Sequence, residues 1–136
     1  MIEKLYNLKK TQTDQKIMEK GQILSKIHNL EAEIMLTQNN INSARLDKFG
    51  AISDFTILTM HKNTMKLHIS KLEKEIAALK VQLEQLVLII VEFQKETEQF
   101  KYLLDEQRNE AIKNMLLAEQ EAADEYIQSK FINSQG

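Results

Sequence analysis

The feature of this 136-residue sequence that most constrains its fold is a series of apolar residues separated by alternating steps of four and three. This spacing keeps one stripe of a helix against a partner helix and is typical of coiled coils. Eleven of the twelve positions of the series in the C-terminal half are apolar, and Thr97 is the exception. These positions, the C-terminal seam, are Met65, Ile69, Leu72, Ile76, Leu79, Leu83, Leu86, Ile90, Phe93, Thr97, Phe100 and Leu104. The register continues backward through Lys62, Leu58, Phe55 and Ala51, which predicts that the seam starts near residue 51.

A second series with the same alternation lies in the N-terminal half and predicts a second helix. This N-terminal seam consists of Ile23, Ile27, Leu30, Ile34, Thr37, Ile41 and Ala44. Extended toward the start, its register falls on Lys20, Lys16, Thr13 and Lys9 before it reaches Tyr6 and Ile2. The first helix is therefore expected to be polar over residues 9–20, where a core position should be apolar.

The sequence offers few residues that can reverse the chain, since it contains no proline and three glycines. Glycine reaches turn conformations at little steric cost, so a chain with so few turns cannot form most sandwiches, barrels or doubly wound sheets. Gly50 is the best candidate for the reversal, because it can end one helix while Ser53 or Asp54 caps the next. Gly21 has no second helix-breaking residue beside it, although a bend there stays open.

These observations predict an all-α fold with two long helices in an antiparallel coiled-coil hairpin and an overhanging C-terminal helix. The whole chain, 1–136, is predicted to be a single domain, with helix 1 over about 2–47, a turn over about 48–54 and helix 2 over about 55–131. Each residue i of the first helix is expected to lie near residue 100 − i of the second. Residues beyond about 100 then have no partner within the chain.

Composition and spacing argue against several functional classes. The chain has no cysteine, a net charge of −2 and a pI near 5.9, so thiolate chemistry and attraction to nucleic acid are not expected. Residues 1–20 do not resemble a secretory signal, and the longest apolar run is too short to span a membrane. His61 and His68 are seven residues apart, whereas helical metal ligands are three or four apart. We expect a soluble, cytoplasmic protein without catalytic residues, metal or cofactor.

The apolar run Leu86–Val91 is wider than a two-helix seam requires, because Val87, Leu88, Ile89 and Val91 lie outside the seam register. By the pairing rule the run faces residues 9–14, which are all polar, so the first helix is not expected to cover it. A shift in register or a second copy of the chain could bury these side chains, or they could form a docking face for another protein. Tyr102 and Leu103 also lie off the seam, and aromatic residues on a helix surface are typical interface anchors.

The length, the predicted hairpin and several segments resemble the flagellar export protein FliJ family, including the stalk proteins of type III secretion systems. The segments are GAISD (50–54), the opening of the second helix with Met65, Ile69 and Leu72–Ile76, and the late stretch from FQKE (93–96) through QRNE (107–110). The resemblance covers essentially the whole chain.

This resemblance implies a non-catalytic, cytoplasmic coiled coil that acts in flagellum biogenesis and motility. Family members associate with the export ATPase ring, as a rotor-like stalk, and with the cytoplasmic domain of the export gate. They are also described as chaperones for exported subunits, so exported subunits or their chaperones are further expected partners. By this resemblance, the gate-binding positions are His68 and Leu72, with Leu79 beyond them.

We expect the ATPase contacts at Leu86–Val91 and at residues 104–126. The side chains predicted to bind proteins, besides the gate positions, are Val87, Leu88, Ile89, Val91, Tyr102, Leu103, Met115 and Tyr126; Tyr102 and Leu103 lie just before the second range. The alternative is a self-associating structural coiled coil without a role in secretion, which would use the same exposed run. In the flagellar reading, the protein is expected at the cytoplasmic face of the export apparatus and reaches the membrane only through its partners.

Overall fold

The computed structural model describes residues 1–44 and 52–135, and these form two helices. Helix α1 spans Ile2–Ser43 and helix α2 spans Ile52–Gln135. The predicted end of helix 1 at about residue 47 lies outside the described residues, within which α1 ends at Ser43. Helix 2 begins three residues earlier and ends four residues later than predicted, so Ser53 and Asp54 lie inside it. The predicted reversal at Gly50 lies outside the described residues.

Both helices consist mainly of strong helix formers without proline, so few residues interrupt the backbone hydrogen bonds. Helix α1 runs through Gly21 without ending there. Several threonines donate their hydroxyl hydrogen to the carbonyl oxygen one turn earlier, as Thr37 does to Glu33 at 2.8 Å and Thr97 to Phe93 at 2.8 Å. This bond satisfies the hydroxyl group locally, so a threonine can occupy a helix without a distant partner.

The structure groups the chain into two compact units. The middle unit is Thr13–Glu92, and the terminal unit combines Met1–Gln12 with Phe93–Gly136. The two long helices pack against each other, which confirms the predicted all-helical class. The prediction of a single domain over 1–136 stays a prediction.

In the middle unit the two helices are antiparallel. Glu33 on α1 contacts His68 on α2, with 2.9 Å between Oε1 and Nε2. Seven residues earlier on α1, Lys26 lines a groove together with Leu79, which lies eleven residues later on α2. The core is formed by aliphatic side chains that are less than a tenth exposed, namely Ile27, Ile41, Ile69, Leu72, Ile76, Leu86 and Ile90.

In the terminal unit the start of α1 packs on α2 through Lys9. Its Nζ atom lies 4.1 Å from the centroid of the Phe93 ring and 2.6 Å from Oε2 of Glu96. The pairing rule places the partner of Lys9 near residue 91 and that of Glu33 near residue 67, so the observed contacts lie within a few residues of it. Ile2, Tyr6 and Lys9 are half-buried, and Leu104 is buried.

All twelve positions of the C-terminal seam are buried or half-buried, as are all seven of the N-terminal seam. The polar extension also follows the register, since Thr13 is buried and Lys16 and Lys20 are half-buried. The expectation that α1 leaves the whole run 86–91 uncovered is wrong for Leu86 and Ile90, which are 6% and 7% exposed. Lysine stems and the threonine methyl group supply apolar surface even where the residue is polar.

The predicted start of the seam is also corrected. Leu58 and Lys62 are half-buried, but Phe55 is 61% exposed. Among the described residues, the seam of α2 therefore begins at Leu58. Ala51 lies outside the described residues, and so does the part of the chain near residue 45 that the pairing rule would place opposite Phe55.

Candidate protein-interaction surface

The run Leu86–Val91 in the middle unit combines buried and exposed apolar side chains. Leu86 and Ile90 belong to the core, whereas Val87, Ile89 and Val91 are 37%, 41% and 43% exposed. Because successive helix residues are about 100° apart, Val87 and Val91 lie on one flank of the seam and Ile89 lies on the other. Leu88 points away from the seam and is 71% exposed. The run therefore presents apolar surface on both flanks and on the outer side of α2.

Tyr102 and Leu103 form a second exposed pair, in the terminal unit, and are 63% and 45% exposed. The Tyr102 hydroxyl group donates a hydrogen bond of 2.7 Å to Oε1 of Glu106, one turn later. This bond, together with the nearby negative charge and some desolvation, raises the pKa of Tyr102. The ring is thus held along the helix surface by its polar end while its apolar face stays accessible.

Every described side chain from 105 to 134 is exposed. Met115 is 55% and Tyr126 is 67% exposed, as the predicted contact sites require. The sequence analysis did not single out several neighbours that share this exposure, which are Ile112, Leu116, Leu117, Ile127, Phe131 and Ile132. The spacing of Ile112, Leu116, Ala123 and Ile127 in steps of four and seven contains the signal that would have found three of them.

The two residues predicted by resemblance to bind the gate have different environments in the middle unit. The His68 side chain is 45% exposed, and its ring nitrogen Nε2 lies 2.9 Å from the Glu33 carboxylate of α1. Leu72 is 4% exposed and belongs to the core. In this conformation Leu72 stabilises the packing of the helices and is not accessible to a partner, whereas His68 is accessible at its edge.

A shallow groove lies beside this position, also within the middle unit. It is lined from α1 by Lys26, Asn29, Leu30 and Glu33 and from α2 by Glu75, Ala78 and Leu79. The small side chain of Ala78 leaves room between the helices, and charged groups of both signs surround the groove. Such a shape fits a single side chain of a partner and does not enclose a small molecule.

Two further findings concern all the described residues. Within residues 1–44 and 52–135, no three His, Asp or Glu side chains are grouped closely enough to hold a metal ion. The same residues include no helix with an apolar stretch long enough to cross a membrane.

These features define an all-helical protein of the coiled-coil class that exposes a run of apolar side chains on α2. A scan against protein families matches residues 1–136 to the family described as Flagellar FliJ protein. The chain therefore belongs to the FliJ family, which confirms the resemblance seen in the sequence. This family is non-catalytic, and membership implies a role related to flagellar export. A search of curated proteins and a search of solved structures each found no match.

Proposed function

We propose that this protein is a cytoplasmic coiled-coil stalk and chaperone of the flagellar type III export apparatus, which links the export ATPase to the export gate. The observation that carries the proposal is the run Leu86–Val91, where four apolar side chains are exposed beside two buried seam residues. A solitary coiled coil gains nothing from exposed Val, Leu and Ile side chains, whereas a partner surface would bury them favourably.

The ATPase contacts are assigned to two groups of side chains. The first is the exposed part of the run, Val87, Leu88, Ile89 and Val91. The second is residues 104–126 of the terminal unit, with Tyr102 and Leu103 just before them. In this proposal, the part of α2 after Leu104 overhangs, with no helix of its own chain beside it, which agrees with the exposure of every described side chain from 105 to 134.

The gate contact is assigned to the neighbourhood of His68. Its edge is accessible, and the groove between α1 and α2 that includes Leu79 lies on α2 about three turns later. Leu72 would act in this contact by fixing the position of α2 on α1, since the side chain itself is buried.

The test replaces Val87 and Ile89 by aspartate, which places charge on both flanks of the run. Binding to the purified export ATPase of the same bacterium is measured by surface plasmon resonance, and helicity by circular dichroism. We expect affinity to fall at least about tenfold, because each aspartate must be desolvated in an apolar contact. Met35→Asp is the matched control, since Met35 is 68% exposed on α1 of the same unit.

Unchanged affinity of the double variant, with helicity preserved, would refute the assignment of this run to the ATPase. The competing function is a self-associating structural coiled coil that buries the same side chains. Light scattering of the free protein separates the two functions, because an adaptor is expected at about 16 kDa and a stable dimer at twice that mass.

A further inference from the structure

The exposed part of α2 after Leu104 carries an apolar face, and the carboxylate of Glu119 falls within its arc. Six apolar side chains fall within an arc of about 120° on the helix, at about 100° per residue. They are Ile112, Met115, Leu116, Ala123, Tyr126 and Ile127. The five large ones are 53% to 67% exposed. We call these six residues the C-terminal face.

The same segment is acidic. Residues 105–134 contain seven carboxylates and three basic side chains, a net charge of −4, although the whole chain carries −2. Between Glu119 and Glu125 there are four carboxylates and no basic residue. In the described part of this segment, the structure shows no carboxylate in an ion pair with Arg108, Lys113 or Lys130. Among residues 1–44 and 52–135, no ion pair neutralises this charge.

We propose that the C-terminal face docks onto a protein surface that combines an apolar groove with basic side chains, and not onto a second copy of this chain. Apolar burial supplies most of the attraction, and opposite charge selects the partner and speeds the encounter. The inference deepens the proposed function, because it states the chemistry of the surface that residues 104–126 would contact on the ATPase.

A second copy is a poor occupant because of the distribution of charge. If two such segments paired in parallel, the cluster Glu119–Glu125 of one copy would face the same cluster of the other. If they paired in opposite directions about the centre of 105–134, this cluster would face 114–120, whose one charged side chain, Glu119, is also negative. Like charges oppose association in both arrangements, most strongly at low ionic strength.

The first experiment needs no export ATPase. Its probes are two 18-residue amphipathic helical peptides with identical leucine faces, one with lysine and one with glutamate on the opposite side. Binding to the full-length protein is measured by fluorescence anisotropy at low and high salt. We expect the lysine peptide to bind at least about tenfold more tightly than the glutamate peptide, and the difference to shrink at high salt.

Two variants assign this binding to the C-terminal face. The first neutralises the cluster by Glu119→Gln, Glu121→Gln, Asp124→Asn and Glu125→Gln. Its matched control neutralises four exposed carboxylates elsewhere by Glu73→Gln, Glu84→Gln, Glu92→Gln and Glu98→Gln. Only the cluster variant should bind the lysine peptide with much lower affinity, and only in this variant should the salt dependence of that binding disappear.

The second variant, Ile112→Ser with Leu116→Ser, should weaken binding to the lysine peptide in both salt conditions.

Several results would overturn the inference. These are equal binding of the two peptides, binding of neither, or an equal loss of affinity in the cluster variant and its control. A dimer in light scattering at low salt that Leu116→Ser dissociates would also overturn it, because the occupant would then be a second copy.

The cluster variant is then measured against the export ATPase. If the ATPase does not bind the unmodified chain while the peptides are discriminated, the proposed function fails and this inference stands. If the ATPase binds the unmodified chain and the cluster variant equally well at low salt, the inference fails and the proposed function stands.

Discussion

Helix α2 contains apolar residues at helical spacing both before and after Leu104, yet the two parts differ in what covers them. In the middle unit, Ile69, Leu72 and Ile76 are less than a tenth exposed. In the terminal unit, Met115 and Tyr126 lie three helical turns apart on one face of α2, but both are more than half exposed. The spacing of apolar residues thus determines which face of a helix is apolar, and only the presence of a partner decides whether that face becomes core.

The same comparison explains why the residues at the seam positions before Leu104 are larger and more apolar than those at the seam positions after it. The seam before Leu104 consists mainly of leucine and isoleucine, whereas its register continues through Gln107, Ala111, Asn114, Ala118 and Glu121. Large aliphatic side chains gain more from burial than alanine does. A surface that is buried only when a partner is bound must also remain soluble without it, and polar and charged residues at the seam positions after Leu104 meet that requirement.

The largest predicted effect tests this difference directly with leucine-to-alanine substitutions. Leu72→Ala removes a side chain that is 4% exposed, so we expect the free energy of unfolding to fall by about 2 kcal/mol or more. Leu116→Ala removes one that is 56% exposed and is expected to change it by no more than about 0.5 kcal/mol. Urea unfolding followed by circular dichroism measures both. Similar losses in the two variants would show that Leu116 is covered in solution.

A smaller effect is predicted for Lys9, which is polar at a seam position. Lys9→Glu removes the contact with the Phe93 ring and places two carboxylates together at Glu96. We expect the loss of stability to be about 1 kcal/mol and to be local. Hydrogen exchange of amides 2–12 should therefore become faster.

Lys10→Glu is the matched control for Lys9, because it makes the same charge change at an exposed neighbouring position. Its exchange rates over residues 2–12 should stay close to those of the unmodified protein. Adding Glu96→Lys to Lys9→Glu restores an ion pair but not the cation over the ring, so we expect a partial recovery. Equal effects of Lys9→Glu and Lys10→Glu would mean that the observed contacts do not hold the start of α1.

Much of this fold could be predicted from the sequence because two helices and one register explain it. Each predicted seam position from Ile23 to Ala44 and from Met65 to Leu104 is at least half-buried in the structure. The helix ends could not be predicted as closely, because the residues around 44–54 contain several competing cap and stop signals and no proline. Burial of Thr13 was missed because a residue scale counts threonine as polar, although its methyl group can pack.

The candidate surface was predictable in part. The off-register positions Val87, Leu88, Ile89 and Val91 stand out because a helix pair can cover only one stripe, and they are exposed in the structure. Leu72 shows the limit of resemblance, since alignment with a family assigns a position to a site without saying whether its side chain faces outward. Which partner covers each surface depends on the chemistry of that partner, which this sequence does not contain.

The smallest predicted effect concerns the exposed pair Tyr102 and Glu106 in the terminal unit. The hydrogen bond to the Glu106 carboxylate raises the pKa of Tyr102 above its usual 10.0, so the folded state favours the protonated phenol. This contribution to stability is fully present below pH 10.0 and is lost as the pH rises through the raised value. Glu106→Gln keeps an oxygen acceptor but removes the charge, so the pKa should fall back toward 10.0.

The measurement is an absorbance titration at 295 nm in a Tyr6→Phe and Tyr126→Phe background, where Tyr102 is the only tyrosine left. Glu110→Gln is the matched control, because it removes a carboxylate one further turn along the helix that makes no hydrogen bond to Tyr102 in the structure. A lower midpoint for Glu106→Gln but not for Glu110→Gln would confirm that Glu106 holds the ring in solution. Equal midpoints in all three proteins would mean that the ring moves freely, and the exposed surface around Leu103 would then lack the fixed aromatic side chain that distinguishes it from the rest of α2.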